Sequence, residues 1–195
     1  MPITLLPALL IYILVVGYTP GPANIYSLSC ALKYGRKASL LMWRGLLCGF
    51  LIAVTTVAVL THCFGTVIGN YVNNLKYLGA AYIFWLAFNI FRRRGNLTTT
   101  VNNCSFLSGM LIQLTNAKMI LFDLTIFSMF VLPYSNRLAD LLTVSLILTL
   151  AGPGGNLVWL LAGSYLGRFF TNYGRQVDVV MSICLAACAL YIVLG

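Results

Sequence analysis

Six membrane-spanning helices in a single all-α domain are the fold class that this chain predicts, on three observations. Charge is scarce. A soluble domain carries about 25% charged residues, whereas here Lys, Arg, Asp and Glu make up 8% of 195 residues and hydrophobic types 61%. The apolar residues fall into six runs joined by short polar links. One helix needs ~20 residues to cross ~30 Å of hydrocarbon, so six spans fit this length with room for links and eight do not. None of the runs alternates with period two, which argues against a transmembrane barrel, the other architecture that satisfies every backbone group in lipid. A mean hydropathy of +0.94 agrees with lipid as the main solvent and excludes a soluble globular enzyme.

The elements follow in order. The first run, 3–32, carries no charge and is interrupted by Thr19-Pro20-Gly21-Pro22. Nothing basic precedes Lys33, so the start lacks a signal peptide's basic region and the run reads as a retained span broken in its middle. The second, 40–61, has Arg44 near its start, and the third, about 71–91, closes on Arg92-Arg93-Arg94. An Asn- and Thr-rich stretch, 95–105, leads to the fourth run, about 106–132, which holds Lys118 and Asp123 and stops at Pro133. The fifth, about 141–166, is interrupted by Gly152-Pro153-Gly154-Gly155-Asn156; a polar link over 168–178 precedes the sixth, 179–194. The expected molecule is one domain, 1–195, with no soluble appendage.

Charge sets the expected orientation. Twelve Lys and Arg against three Asp and Glu give +9, but the basic residues stand singly or in short clusters between apolar runs. That is where topology signals belong, and not the solvated, aromatic-interleaved patch that nucleic acid requires. Nine of them (Lys33, Arg36, Lys37, Arg44, Arg92, Arg93, Arg94, Arg168, Arg175) fall on one side, and Lys76 and Arg137 on the other. The basic side faces the cytoplasm, which puts both termini outside. Six cysteines form no C-x-x-C and no metal-ligand spacing. They read as small apolar packing residues, although a membrane thiol–disulfide electron carrier, which needs a reactive pair in a polar setting, remains the alternative from another class. His62, the one histidine, lies near the outer end of its span and reads as interfacial.

Chemistry concentrates where the helices break. Backbone freed from a helix in lipid survives only beside protein or a watery cavity, and discontinuous helices in two halves point to a transporter site. Pro20, Gly21 and Pro22 remove amide donors and loosen the chain, with Thr19 and Asn24 beside them. The counterpart in the second half is Asn116-Ala117-Lys118. Lys118 lies about twelve positions from either end of its run, too deep to snorkel, and a lysine at that depth costs ~2.5–3.5 kcal/mol on insertion scales. Pro22 suits the first turn of a restarting helix and Asn116 suits a cap. Two such N-termini with Lys118 make an anion site for an amino-acid carboxylate, while amide oxygens of Asn24 and Asn116 and carbonyls around Gly21 accept from its ammonium group. Asp123, five residues beyond Lys118 and so about 140° around the helix, is open between substrate or proton work and a structural ion pair with Lys118 or Arg44. Asn156 and Trp159 belong to the fifth-run break, which either admits a close neighbour or lines the cavity. No nucleotide, cofactor or metal motif is present.

At these residues the chain resembles a known family, the LysE/RhtB family of bacterial amino-acid exporters. The resemblance rests on Thr19-Pro20-Gly21-Pro22, on Gly79-Ala80-Ala81-Tyr82 through Trp85-Leu86-Ala87, and on Asn116-x-Lys118 with Ile120-Leu121-Phe122. Phe130-Val131-Leu132-Pro133, Gly155-Asn156-x-x-Trp159 with Ala162-Gly163, and Tyr173-Gly174-Arg175-Gln176 are most similar to members that export cysteine and O-acetylserine. The chain departs from the family pattern at Ala23, Ala117 and Asp123. The resemblance implies two inverted three-helix repeats, about 1–94 and about 105–195, with the first, fourth and fifth helices broken. It implies inner-membrane efflux of small amino acids or derivatives, with cysteine and O-acetylserine as first substrates and homoserine, threonine or another neutral amino acid as alternatives. The proton gradient is the expected drive, because no nucleotide-binding motif could couple ATP. The expected partners are the substrate and the bilayer, with a homo-oligomer left open, no nucleic acid and no cofactor.

Overall fold

The computed structural model describes residues 6–18, 20–92 and 101–194, and every regular element among them is helical. Helix α1 covers Leu6–Tyr18 and α2 starts at Pro22, where the missing amide of proline costs nothing because the first turn leaves its donors free. The first expected break is therefore present. Thr19, which belongs to it, lies outside the described residues.

Helix α2 runs Pro22–Arg92 and turns at two corners, Gly35 (φ 76°, ψ 174°) and Phe64 (φ −123°, ψ 17°). The Gly35 backbone lies in a region open essentially to glycine alone, and the corners there and at Phe64 divide α2 into three helical stretches, which correspond to the end of the first run, the second and the third. Helix α3, Phe106–Leu114, opens with a reciprocal cap between Ser105 and Ser108. Helix α4, Ala117–Thr125, continues as a π-turn over Ile126–Val131, and the two halves of this fourth run are bent by 54°. Helices α5 (Leu138–Tyr165), α6 (Gly167–Asn172) and α7 (Gly174–Leu194) complete the order. Pro22–Gly65 and Leu138–Tyr165 are each long and apolar enough to cross a membrane, and Phe106–Leu114 with Ala117–Val131 reaches that length only when the bent pair is taken as one span.

The expectation that the fifth helix breaks is corrected: α5 is continuous through Pro153. Proline deletes one helix hydrogen bond, whereas an open break would strand several backbone groups away from water. Packing holds the helix closed on both sides of the proline. The Trp43 indole donates to the Pro153 carbonyl at 2.9 Å, and a Cβ on Gly152 would lie 2.8 Å from the Phe50 ring. On Gly155 it would lie 2.5 Å from the Gly17 carbonyl. Of the two readings of this glycine group, close approach is the one observed.

Helix α2 packs against α3, α4, α5 and α7. Its crossing with α3 uses backbone contact: a Cβ on Gly45 would sit 1.9 Å from the Phe106 carbonyl, and one on Gly109 would sit 2.1 Å from that of Met42. Small residues permit such approaches in membranes, where lipid supplies no hydrophobic drive between helices. Large apolar side chains cover the outside, with Leu150 83%, Ile183 63% and Ile11 61% exposed, as lipid-facing residues are. At one end Lys33 donates to the Val101 carbonyl at 2.7 Å and Arg36 to the Tyr165 hydroxyl at 2.9 Å. Arg175 donates to the Phe91 carbonyl, near the C-terminus of α2. His62 lies elsewhere, 2.8 Å from the Asn136 carbonyl.

Candidate functional site at two helix breaks

The site is built where the α1–α2 break meets α4 and α5. Ending α1 at Tyr18 frees carbonyls that the next helix turn would have used, and side chains take them. Asn24 Nδ2 donates to the Gly17 carbonyl at 3.1 Å, and Trp159 Nε1 donates to that of Tyr18 at 3.0 Å. Asn156 Nδ2 in turn donates to Asn24 Oδ1 at 2.6 Å. All of Pro20, Gly21, Asn24 and Asn156 are buried. The carbonyl of Gly21 accepts from the Ile25 amide as an ordinary helix bond.

Lys118 arrives from the other break. It is 4% exposed, and its side chain lies along Gly21: a Cβ added there would be 3.0 Å from Lys118 Cδ and 3.2 Å from Nζ. A cation is thus held next to the N-terminus of α2, where a helix already presents about half a positive charge. Asn116 takes the N-cap position of α4, as its chemistry suggests, but its side chain makes no capping bond. The backbone carbonyl of Asn116 instead receives the amides of Met119 and Ile120, and Oδ1 stays buried with no partner.

The structure therefore brings Gly21, Asn24, Lys118, Asn156 and Trp159 together and sets Asp123 apart. Asp123 is wholly buried, about 7–8 Å along the helix from Lys118, beside the Tyr12–Phe122 stack at 5.5 Å. Neither carboxylate oxygen has a hydrogen-bond partner. No ion pair to Asp123 is formed among the described residues, and Arg44 is on the outside. Two of the carbonyl and amide oxygens expected to await a ligand, Gly21 O and Asn24 Oδ1, already accept protein donors, which leaves Asn116 Oδ1 as the unused acceptor. Gln113, one turn before the break, is a residue that sequence reasoning passed over. It is 0% exposed, and both polar atoms of its side chain are unpaired. Its signal was a lone amide between Ile112 and Leu114 in an apolar run. A groove of about 650 Å³ between the third stretch of α2 and α7, lined by residues such as Phe84, Trp85 and Leu190, offers no charge to a zwitterion.

A multi-pass helical protein of this kind, with a buried lysine carried to a broken helix, belongs to the class of membrane translocators and not to the enzymes. The chain is a member of the LysE family: the model of the LysE type translocator matches residues 14–195. It is 38% identical over 191 residues to the cysteine/O-acetylserine efflux protein of Klebsiella pneumoniae, and 36% identical over 193 residues to that of Escherichia coli K12, with 97% of both chains covered in each case. No solved structure matches the chain.

Proposed function

We propose that this protein exports small neutral amino acids and their O-acetyl derivatives across the inner membrane, with cysteine and O-acetylserine as its first substrates. The observation that carries the proposal is the Lys118 side chain lying on Gly21 at the start of α2. Lysine and the helix N-termini of α2 and α4 are positive ends, and in this reading a substrate carboxylate binds beside them. Asn116 Oδ1, the free acceptor, takes the ammonium group. Relatives that share more than a third of the sequence over nearly its full length are named for cysteine and O-acetylserine efflux. Proton exchange drives export in this reading, through two inverted three-helix repeats in one domain with both termini outside.

Counterflow in proteoliposomes tests it. Wild-type protein is expected to exchange O-acetylserine and cysteine, and Lys118→Gln to lose exchange by at least tenfold while still inserting. A lysine serving only as counter-ion to Asp123 predicts otherwise. In that case Lys118→Gln combined with Asp123→Asn restores exchange, and restoration overturns the substrate role.

A further inference from the structure

Gln113 stands at the last turn of α3 with a donor and an acceptor that the protein leaves unused. Burying an unpaired polar group costs about 1–3 kcal/mol, and buried side-chain amides in folded proteins are almost always satisfied. The position is not loose: a Cβ on Gly49 would be 3.1 Å from Gln113 Cβ, so the root of the side chain is packed against the second stretch of α2. Its neighbour Ile112 packs against the buried cluster that holds Ala23, Met42 and Leu46, so this turn of α3, the restart of α2 and the second stretch of α2 share one cluster. The Gln113 carbonyl accepts the Asn116 amide at 3.1 Å. Three unpaired polar atoms, Gln113 Nε2 and Oε1 and Asn116 Oδ1, therefore lie on one buried turn at the helix break.

Resting on the efflux reading above, we infer that Gln113 is the residue that selects the substrate by its side chain. Lys118 and Asn116 engage the carboxylate and ammonium groups common to all amino acids, and neither distinguishes one from another. The carboxamide adds one neutral donor and one neutral acceptor. Nε2 donates to the carbonyl of an O-acetyl ester, and either atom pairs with a hydroxyl or a thiol. An aliphatic side chain leaves both atoms unpaired, and a site built to hydrogen-bond rejects ligands that cannot reciprocate. A charged side chain meets no counter-charge there. The substrate class is thus α-amino acids with a short, uncharged, polar side chain.

The test compares O-acetylserine with norleucine, an aliphatic amino acid of similar reach, in counterflow with purified full-length protein. Wild type is expected to prefer O-acetylserine by about tenfold or more. Gln113→Leu is expected to bring that ratio close to one by loss of O-acetylserine exchange, with norleucine exchange retained. In detergent, Gln113→Leu should unfold at or above the wild-type temperature, and the rise that O-acetylserine produces in wild type should be absent. Gln113→Met, of equal length and without an amide, should behave alike. An unchanged ratio in both variants overturns the assignment, and so does failure of both to fold, which would mark a packing residue. If wild type exchanges neither probe, the efflux reading itself falls and this inference with it. Wild-type exchange with an unchanged variant ratio overturns the inference alone.

Discussion

Asn24 shows how one side chain closes a helix break and links three helices. Its amide nitrogen holds the Gly17 carbonyl of α1, and its oxygen receives Asn156 of α5. Replacing Asn156 by Leu removes its hydrogen bond to Asn24 Oδ1, a net loss of about 0.5–1.5 kcal/mol. Asn156→Leu is therefore expected to lower the unfolding temperature in detergent measurably. Trp159→Phe, which keeps most of the ring but removes the donor to Tyr18, should cost about 1 kcal/mol. Gly21→Ala tests the neighbouring contact. The added methyl presses on the flexible end of Lys118 and not on backbone, so stability should change little while counterflow falls several-fold through a displaced lysine. Unchanged counterflow in Gly21→Ala would separate Lys118 from the α2 terminus in function.

At the scale of elements, the decisive contacts are glycines facing backbone. Gly109→Ala drives a methyl to 2.1 Å from the Met42 carbonyl; neither partner is a flexible tip, so α2 and α3 must separate. Overpacking of this kind costs about 1–3 kcal/mol or more, and thermal unfolding in detergent should register it. Gly17→Ala is the control, since a Cβ there meets nothing within 4 Å, and it should stay within about 0.5 kcal/mol of wild type. Equal effects of the two substitutions would show that the α2–α3 crossing is less close than described. The α5 correction belongs to the same scale. Pro153 with its flanking glycines looks like a break in a one-dimensional reading because proline and glycine are the usual breakers, but Trp43, Phe50 and Gly17 belong to other helices and hold the segment helical.

For the molecule as a whole, the asymmetry of basic residues makes a topological prediction. Nine Lys and Arg on one side against two on the other place Gly95 in the cytoplasm and Gly195 outside. Reporter fusions at these two positions should therefore report opposite compartments, and an external signal at Gly95 would invert the model. The contacts of Lys33, Arg36 and Arg175 with the ends of other elements give these charges anchoring partners.

What the sequence determined by itself follows from composition and local chemistry. Lipid as solvent, helices throughout the regular elements of the described residues, the breaks at Pro20–Pro22 and at Asn116, and a buried Lys118 are all consequences of hydropathy, missing proline donors and the cost of a mid-run charge. The family was legible too, because its motifs lie on those same breaks. Tertiary structure decided the rest. It joined Asn24 to Asn156 across 132 positions, laid Lys118 on Gly21, isolated Asp123, kept α5 whole and left Gln113 unpaired. Each of these depends on which distant group stands opposite a given atom, and no local pattern encodes that: a freed carbonyl reads the same in sequence whether a partner helix or a substrate will fill it.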